Sequence, residues 1–273
     1  MLNSKRILLV GCGKMGGAML RGWLARGITA DEILVVEPFN DVATNLRMEL
    51  AVPVVSSAED LDKGYIPDVI VFAVKPQGME DIVATYAGAL TASAVVLSIA
   101  AGRDTNFFER QLGSGVAVVR TMPNSPASVG RGITAAFANA NLKTHQHTLC
   151  QSLLEAIGEV VWIEDESLID AVTAISGSGP AYVFHMIECL ARAGEAQGLP
   201  PEIADKLARA TVTGSGELAH LSAETAETLR MNVTSPGGTT AAALDVLMMD
   251  AGLGDLMDRA VAAATKRSRE LGR

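Results

Sequence analysis

The chain has 273 residues, which at about 150 residues per domain suggests two domains with a substantial core. Its net charge of −9, from 22 basic and 31 acidic residues, speaks against a nucleic-acid backbone as its main partner. Three widely spaced cysteines, Cys12, Cys150 and Cys189, make neither a disulfide framework nor a zinc knuckle, and the apolar run before Gly11 is too short for a signal segment or a membrane span. A soluble cytoplasmic protein with no membrane partner is expected.

In chain order, apolar β-branched runs at Ile7–Val10, Ile33–Val36, Val52–Val55, Val69–Val74, Val95–Ile99 and Val116–Val119 predict strands. They are continuous rather than alternating, as in parallel strands covered on both faces. Helix-length segments such as Met15–Arg26 and Asp41–Leu50 separate them, giving repeated strand–helix–strand units and a doubly wound sheet. Thr134–Ala138 and Val160–Ile163 predict two further strands. From about Asp165 the text turns helical. Pro180 stands at a first helical position, Gly198-Leu199-Pro200-Pro201 ends one helix and opens the next, and Ser235-Pro236-Gly237-Gly238 breaks the chain before Thr239–Met249. The expected architecture is α/β: a Rossmann-like doubly wound domain over residues 1–164, then a small all-α domain over 165–273. The wide apolar faces of Ala181–Ala193 and Ala241–Met249 call for a partner, most simply a second copy.

Gly11-Cys12-Gly13-Lys14-Met15-Gly16 is a G-x-G-x-x-G directly after the first strand and opening a helix, the context in which the motif holds a dinucleotide pyrophosphate. Glu37 ends the second strand about 20 residues beyond Gly16, where a carboxylate accepts from the adenosine ribose hydroxyls and favours NAD over NADP; nearby Asn40 could donate to a 2′-phosphate. Ala73-Val74-Lys75-Pro76-Gln77 and Arg120-Thr121-Met122-Pro123-Asn124 end strands at the ligand-binding edge. Ser176–Tyr182 and Thr234–Thr240 read as glycine segments that open helices and offer free N–H groups to a carboxylate. Hydrolase and Walker motifs are absent. His145 and His147 fit a solvated helix end better than a metal site, and His185 and His220 fit packing or surface positions. No Lys or His stands out as the acid–base group that an alcohol dehydrogenase needs.

Taken together, G-x-G-x-M-G, AVKPQ, MPN, GSGPAY and TSPGGTT, in that order from Gly11 to Thr240, closely resemble the Δ1-pyrroline-5-carboxylate reductase family, which catalyses the last step of proline biosynthesis. The resemblance implies reduction of the substrate's ring C=N bond by NADPH or NADH, and a homodimer interlocked through the helical domain, in that family often assembled into decamers. It further implies that Val10, Gly11, Cys12, Gly13, Lys14, Met15 and Gly16 line the pyrophosphate, with Ala73, Val74, Lys75 and Pro76 bordering ribose and nicotinamide and Ile99 and Ala101 opposite. Glu166, Asn232, Gly238, Thr239 and Thr240 fall on the substrate side, and Thr240 is the candidate catalytic residue, holding the ring nitrogen by hydrogen bonding. Glu37 departs from the small or polar residue usual in the family, and Ser222–Thr228 lacks the family's His-Pro. Two other readings remain open at this point. A β-hydroxyacid dehydrogenase would need a Lys and an Asn that Tyr182–Cys189 does not supply, and a non-catalytic NAD(P)-binding redox sensor would show no turnover.

Overall fold

A computed structural model describes residues 5–62, 64–91 and 93–272. They fall into two compact units, one running to Gly177 and taking in the chain end from Thr265, the other Ser178–Ala264. The first unit thus passes the expected 164/165 boundary. The reason is packing: Ile169 and Ala174 are buried, Ile169 against Met122 and Ala135.

Eight strands form the sheet of the first unit: β1 (Ile7–Val10), β2 (Ile33–Val36), β3 (Val54–Val55), β4 (Val69–Phe72), β5 (Val95–Ser98), β6 (Ala117–Met122), β7 (Gly132–Ala138) and β8 (Gly158–Trp162). Their order is β3-β2-β1-β4-β5-β6-β7-β8, with the first six mutually parallel. Helices α1 (Lys14–Ala25), α2 (Asn40–Leu50), α3 (Met79–Ala84), α4 (Thr105–Leu112) and α5 (Thr144–Glu155) cover the two faces. The strand period of two sorts β1 between two cores. Ile7 and Leu9 pack with Met19, Leu20, Trp23 and Leu153. Leu8 and Val10 pack with Phe72, Met79, Phe107 and Phe108.

The six runs read as parallel strands are parallel, and the two later strands change direction: β7 runs antiparallel to β6 and β8 parallel to β7. A parallel crossover needs about a dozen residues or more, and the Pro123–Arg131 link is shorter than that. It makes a 3-10 turn over Ser125–Val129 and reverses at Gly130, whose φ is +70°. The Asn124 carboxamide then accepts the Ile133 N–H at 2.9 Å, fixing where β7 starts. His147 is not simply solvated at its helix start, since its ring stacks on Trp162 at 4.1 Å.

Past β8, helix α6 (Ile169–Val172) leads into a π turn over Thr173–Gly177. The end of the chain belongs to the same unit, and Ser268 donates its hydroxyl to Asp170 at 2.6 Å. The second unit holds α7 (Gly179–Ala196), α8 (Pro201–Leu221), α9 (Ala226–Asn232), α10 (Thr239–Leu247) and most of α11 (Leu253–Leu271). Gly198, with φ +94°, ends α7 and Pro201 opens α8. The two helices approach closely where Gly194 meets Ala204. This unit has almost no interior of its own: Ala191, Ala204 and Ala208 are its buried apolar residues, while Phe184, Leu207, Leu218, Val246, Met249 and Leu256 are exposed. Among the described residues, no helix is long and apolar enough to cross a membrane.

Candidate active site

The turn from β1 into α1 is built by its glycines. Gly11 has φ +84°, and a Cβ there would lie 2.7 Å from a Val74 methyl and 3.0 Å from the Ala73 carbonyl oxygen. No other residue fits. A Cβ on Gly16 would sit 2.6 Å from the Gly11 carbonyl oxygen, so the third glycine lets helix and strand close on each other. Gly13 differs, because a Cβ there would meet nothing within 4 Å. Its side is open, as the approach of a pyrophosphate to the backbone requires. Gly13 caps α1 and accepts the Gly17 N–H at 2.8 Å. The N–H groups of Lys14, Met15 and Gly16 are left without intrahelical partners at the positive end of the helix dipole.

Glu37 reaches this loop from the end of β2. Its carboxylate accepts the Cys12 N–H at 2.9 Å and the Phe39 N–H at 3.1 Å, and the residue is only 5% exposed. Burial, reinforced by the Glu37 charge, pushes the Cys12 thiol up to about 12. The sulfur therefore stays protonated and adds no negative charge beside the phosphate-binding turn. Asn40 opens α2 just beyond and is exposed.

The other expected cofactor residues follow along the same carboxyl edge. Ala73 donates its N–H to the Val10 carbonyl at 2.8 Å, and Val74 lies against Gly11. Lys75 is exposed, and the Pro76 carbonyl accepts from Arg103 at 3.4 Å. Ile99 and Ala101 follow β5, with the Ile99 N–H on the Phe72 carbonyl at 3.2 Å. The first unit thus brings Val10–Gly16, Glu37, Ala73–Pro76, Ile99 and Ala101 to the ends of β1, β2, β4 and β5. Here the strand order reverses between β1 and β4, the crevice where open α/β sheets bind ligands.

On the substrate side the structure is more selective. Glu166 accepts from the Thr105 N–H at 2.9 Å, the Thr105 hydroxyl at 2.8 Å and Arg120 Nη1 at 3.0 Å. Its carboxylate ties the first turn after β8 to β6 and to the start of α4. These partners were not foreseen, although Arg120 stood out as the head of the RTMPN segment. Asn232 donates to Glu224 at 3.1 Å.

Two expectations about free N–H groups are corrected. Ser176–Tyr182 is not a loop opening a helix: Thr173–Gly177 is a π turn and Ser178, at φ −86° and ψ −25°, keeps the helical conformation. In Thr234–Thr240, Pro236 and Gly237 (φ +66°) form a turn in which the Gly238 N–H bonds the Ser235 carbonyl at 3.0 Å, so that N–H is already used. Gly238 caps α10, which leaves the N–H groups of Thr239, Thr240 and Ala241 as the unpaired donors of the helix start.

A sheet with this reversal point and phosphate turn, followed in the chain by a helical unit, defines a Rossmann-type dinucleotide-binding protein. The comparisons with known proteins make this specific. Residues 6–102 match the family described as NADP oxidoreductase, coenzyme F420-dependent, and residues 166–271 match the pyrroline-5-carboxylate reductase dimerisation family. A pyrroline-5-carboxylate reductase of Pseudomonas aeruginosa is 38% identical over 271 residues, covering 99% of this chain and 98% of that one. The solved Coxiella burnetii pyrroline-5-carboxylate reductase superposes with a TM-score of 0.93 at 34% identity, over 99% of this chain and 100% of that one. The Plasmodium falciparum enzyme, solved with NADP bound, gives 0.83 at 31% identity over the whole of both chains. The chain belongs to the pyrroline-5-carboxylate reductase family.

Proposed function

We infer that the chain reduces the ring C=N bond of Δ1-pyrroline-5-carboxylate to L-proline with NADPH or NADH, the final step of proline biosynthesis. The observation that carries this reading is the pairing, in one chain matching these reductases end to end, of the Gly11–Gly16 turn with the Thr234–Thr240 turn and helix start. When bound, the dinucleotide supplies a hydride from its nicotinamide ring. The open side of Gly13 and the free N–H groups of Lys14, Met15 and Gly16 fit its pyrophosphate, and Ala73–Pro76, Ile99 and Ala101 border the ring end.

In this reading the N–H groups at the start of α10 receive the substrate carboxylate, favoured by the helix dipole. The Thr240 hydroxyl hydrogen-bonds the ring nitrogen. Imine reduction needs a hydride on carbon and a proton on nitrogen, and there is no hydroxyl proton to remove. A threonine hydroxyl is too weak an acid to supply that proton, so it arrives with the cyclic iminium or from water. Positioning and electrostatics then carry the rate enhancement. Asn232, which also donates to Glu224 at 3.1 Å, and Thr239 bind on the substrate side with Thr240. Glu166, whose oxygens already accept from Thr105 and Arg120, serves the substrate side by positioning.

The exposed apolar residues of α7, α8, α10 and α11 support a homodimer through the helical unit, and a decamer built from such dimers follows the family resemblance. We place the protein in the cytoplasm, consistent with three free cysteines. The test is oxidation of NADH or NADPH that depends on added pyrroline-5-carboxylate, followed at the nicotinamide absorbance band.

A further inference from the structure

The surroundings of Glu37 discriminate between two cofactors that the reductase reading leaves equivalent, and the inference rests on that reading only in taking a nicotinamide dinucleotide as the ligand. We propose that this chain selects NADH over NADPH, and that Glu37 is the selecting residue.

The position of the carboxylate is fixed. It is 5% exposed, and two backbone donors hold it, Cys12 N–H on Oε2 at 2.9 Å and Phe39 N–H on Oε1 at 3.1 Å. The first donor belongs to the phosphate turn itself, so Glu37 cannot swing away without releasing that turn. An ionised carboxylate offers about four lone-pair sites, and two remain after these bonds. They can only accept. The 2′- and 3′-hydroxyls of an adenosine ribose donate and match them. A 2′-phosphate brings acceptor oxygens and negative charge to the same place and is repelled.

Among the described residues, the cations of α1 and α2 have partners or stand at the pyrophosphate end. Residues 37–50 carry three carboxylates, Glu37, Asp41 and Glu49, against one cation, Arg47. Arg47, exposed on α2, donates to the Val54 carbonyl at 2.8 Å. Arg21, across on α1, is held by Glu49 at 2.9 Å. Lys14 stands at the first position of α1, at the pyrophosphate end. Asn40 could give a 2′-phosphate a neutral donor, which does not offset a fixed negative charge. The solved Plasmodium falciparum relative holds NADP, so the inference separates this chain from that relative.

The test is fluorescence titration of the full-length protein with NADH and with NADPH, without substrate. NADH should bind at least about tenfold more tightly. Glu37→Ser and Glu37→Gln should each close most of that gap, chiefly by tightening NADPH. Either variant removes at least one of the two acceptor oxygens that hold the Cys12 and Phe39 N–H groups, which can loosen the phosphate turn. A second measurement therefore uses the unmodified protein: ADP-ribose should displace NADH at lower concentration than 2′-phospho-ADP-ribose. Equal or tighter binding of NADPH, or equal displacement by the two fragments, would overturn the proposal. Selective NADH binding without pyrroline-5-carboxylate turnover would leave it standing and sink the reductase reading. Efficient turnover with NADPH preferred would do the reverse.

Discussion

Removing the Thr240 hydroxyl by Thr240→Val keeps the shape of the α10 start and deletes one hydrogen bond to a charged or developing charged partner. Such a bond is worth about 1.5–3 kcal/mol, so kcat should fall by roughly one to two decades while the Kd for NAD(P)H stays unchanged. Steady-state kinetics together with cofactor titration check this, and full activity would leave the backbone N–H groups alone in the role. Gly238→Val should act differently. A Cβ at Gly238 lies 3.1 Å from the Ser235 carbonyl oxygen, so the substitution strains the turn and should raise KM before it lowers kcat. The partners of Glu166 yield a stability test. Glu166→Gln weakens the bond from Arg120, whose side chain is only 11% exposed, and should cost about 1.5–3 kcal/mol in denaturant unfolding. An unchanged midpoint would mean that solvent already screens the pair. At this scale the sequence was legible where spacing itself carries the chemistry. Gly11, Gly13, Gly16 and Glu37 sit where their intervals place them, because backbone sterics dictate those positions. The hold of Thr105 and Arg120 on Glu166 was not legible, since it joins residues 61 and 46 positions apart.

The elements repeat this division. Strand ends could be read to within two residues except at β6, which runs on to Met122, because continuous β-branched runs mark strands covered on both faces. Only β3, Val54–Val55, is much shorter than its apolar run. Direction was the harder quantity. The antiparallel β7 looks in composition like its parallel neighbours, and only the short Pro123–Arg131 link betrays it. The pairing of β7 with β8 depends on Gly158, which has φ +145° and whose added Cβ would fall on the Gly132 carbonyl oxygen. Gly158→Ala should therefore pry the β8 edge loose and cost at least about 2 kcal/mol. Loss of amide-exchange protection should be concentrated in β7 and β8; uniform protection with an unchanged melting temperature would show that the edge adapts. The π turn before α7 was invisible for a related reason, since glycine and serine spacing alone does not separate a loop from an irregular helix.

For the whole molecule, the helical unit with three small buried alanines and a broad apolar exterior is incomplete as a single copy. Light scattering at micromolar concentration should give twice the 28.5 kDa protomer mass or a higher multiple. A monodisperse protomer would refute assembly through this unit. Wide apolar faces in the sequence indicated that a partner is needed, whereas the number of copies depends on surface geometry that periodicity does not encode. Reduction of a cyclic imine by this chain is tested most directly by incubating the purified protein with pyrroline-5-carboxylate and NADH or NADPH and measuring nucleotide oxidised and L-proline formed in the same sample. The expected result is one proline per nucleotide, with no oxidation when substrate is omitted. Tight nucleotide binding without proline formation from either cofactor would contradict it.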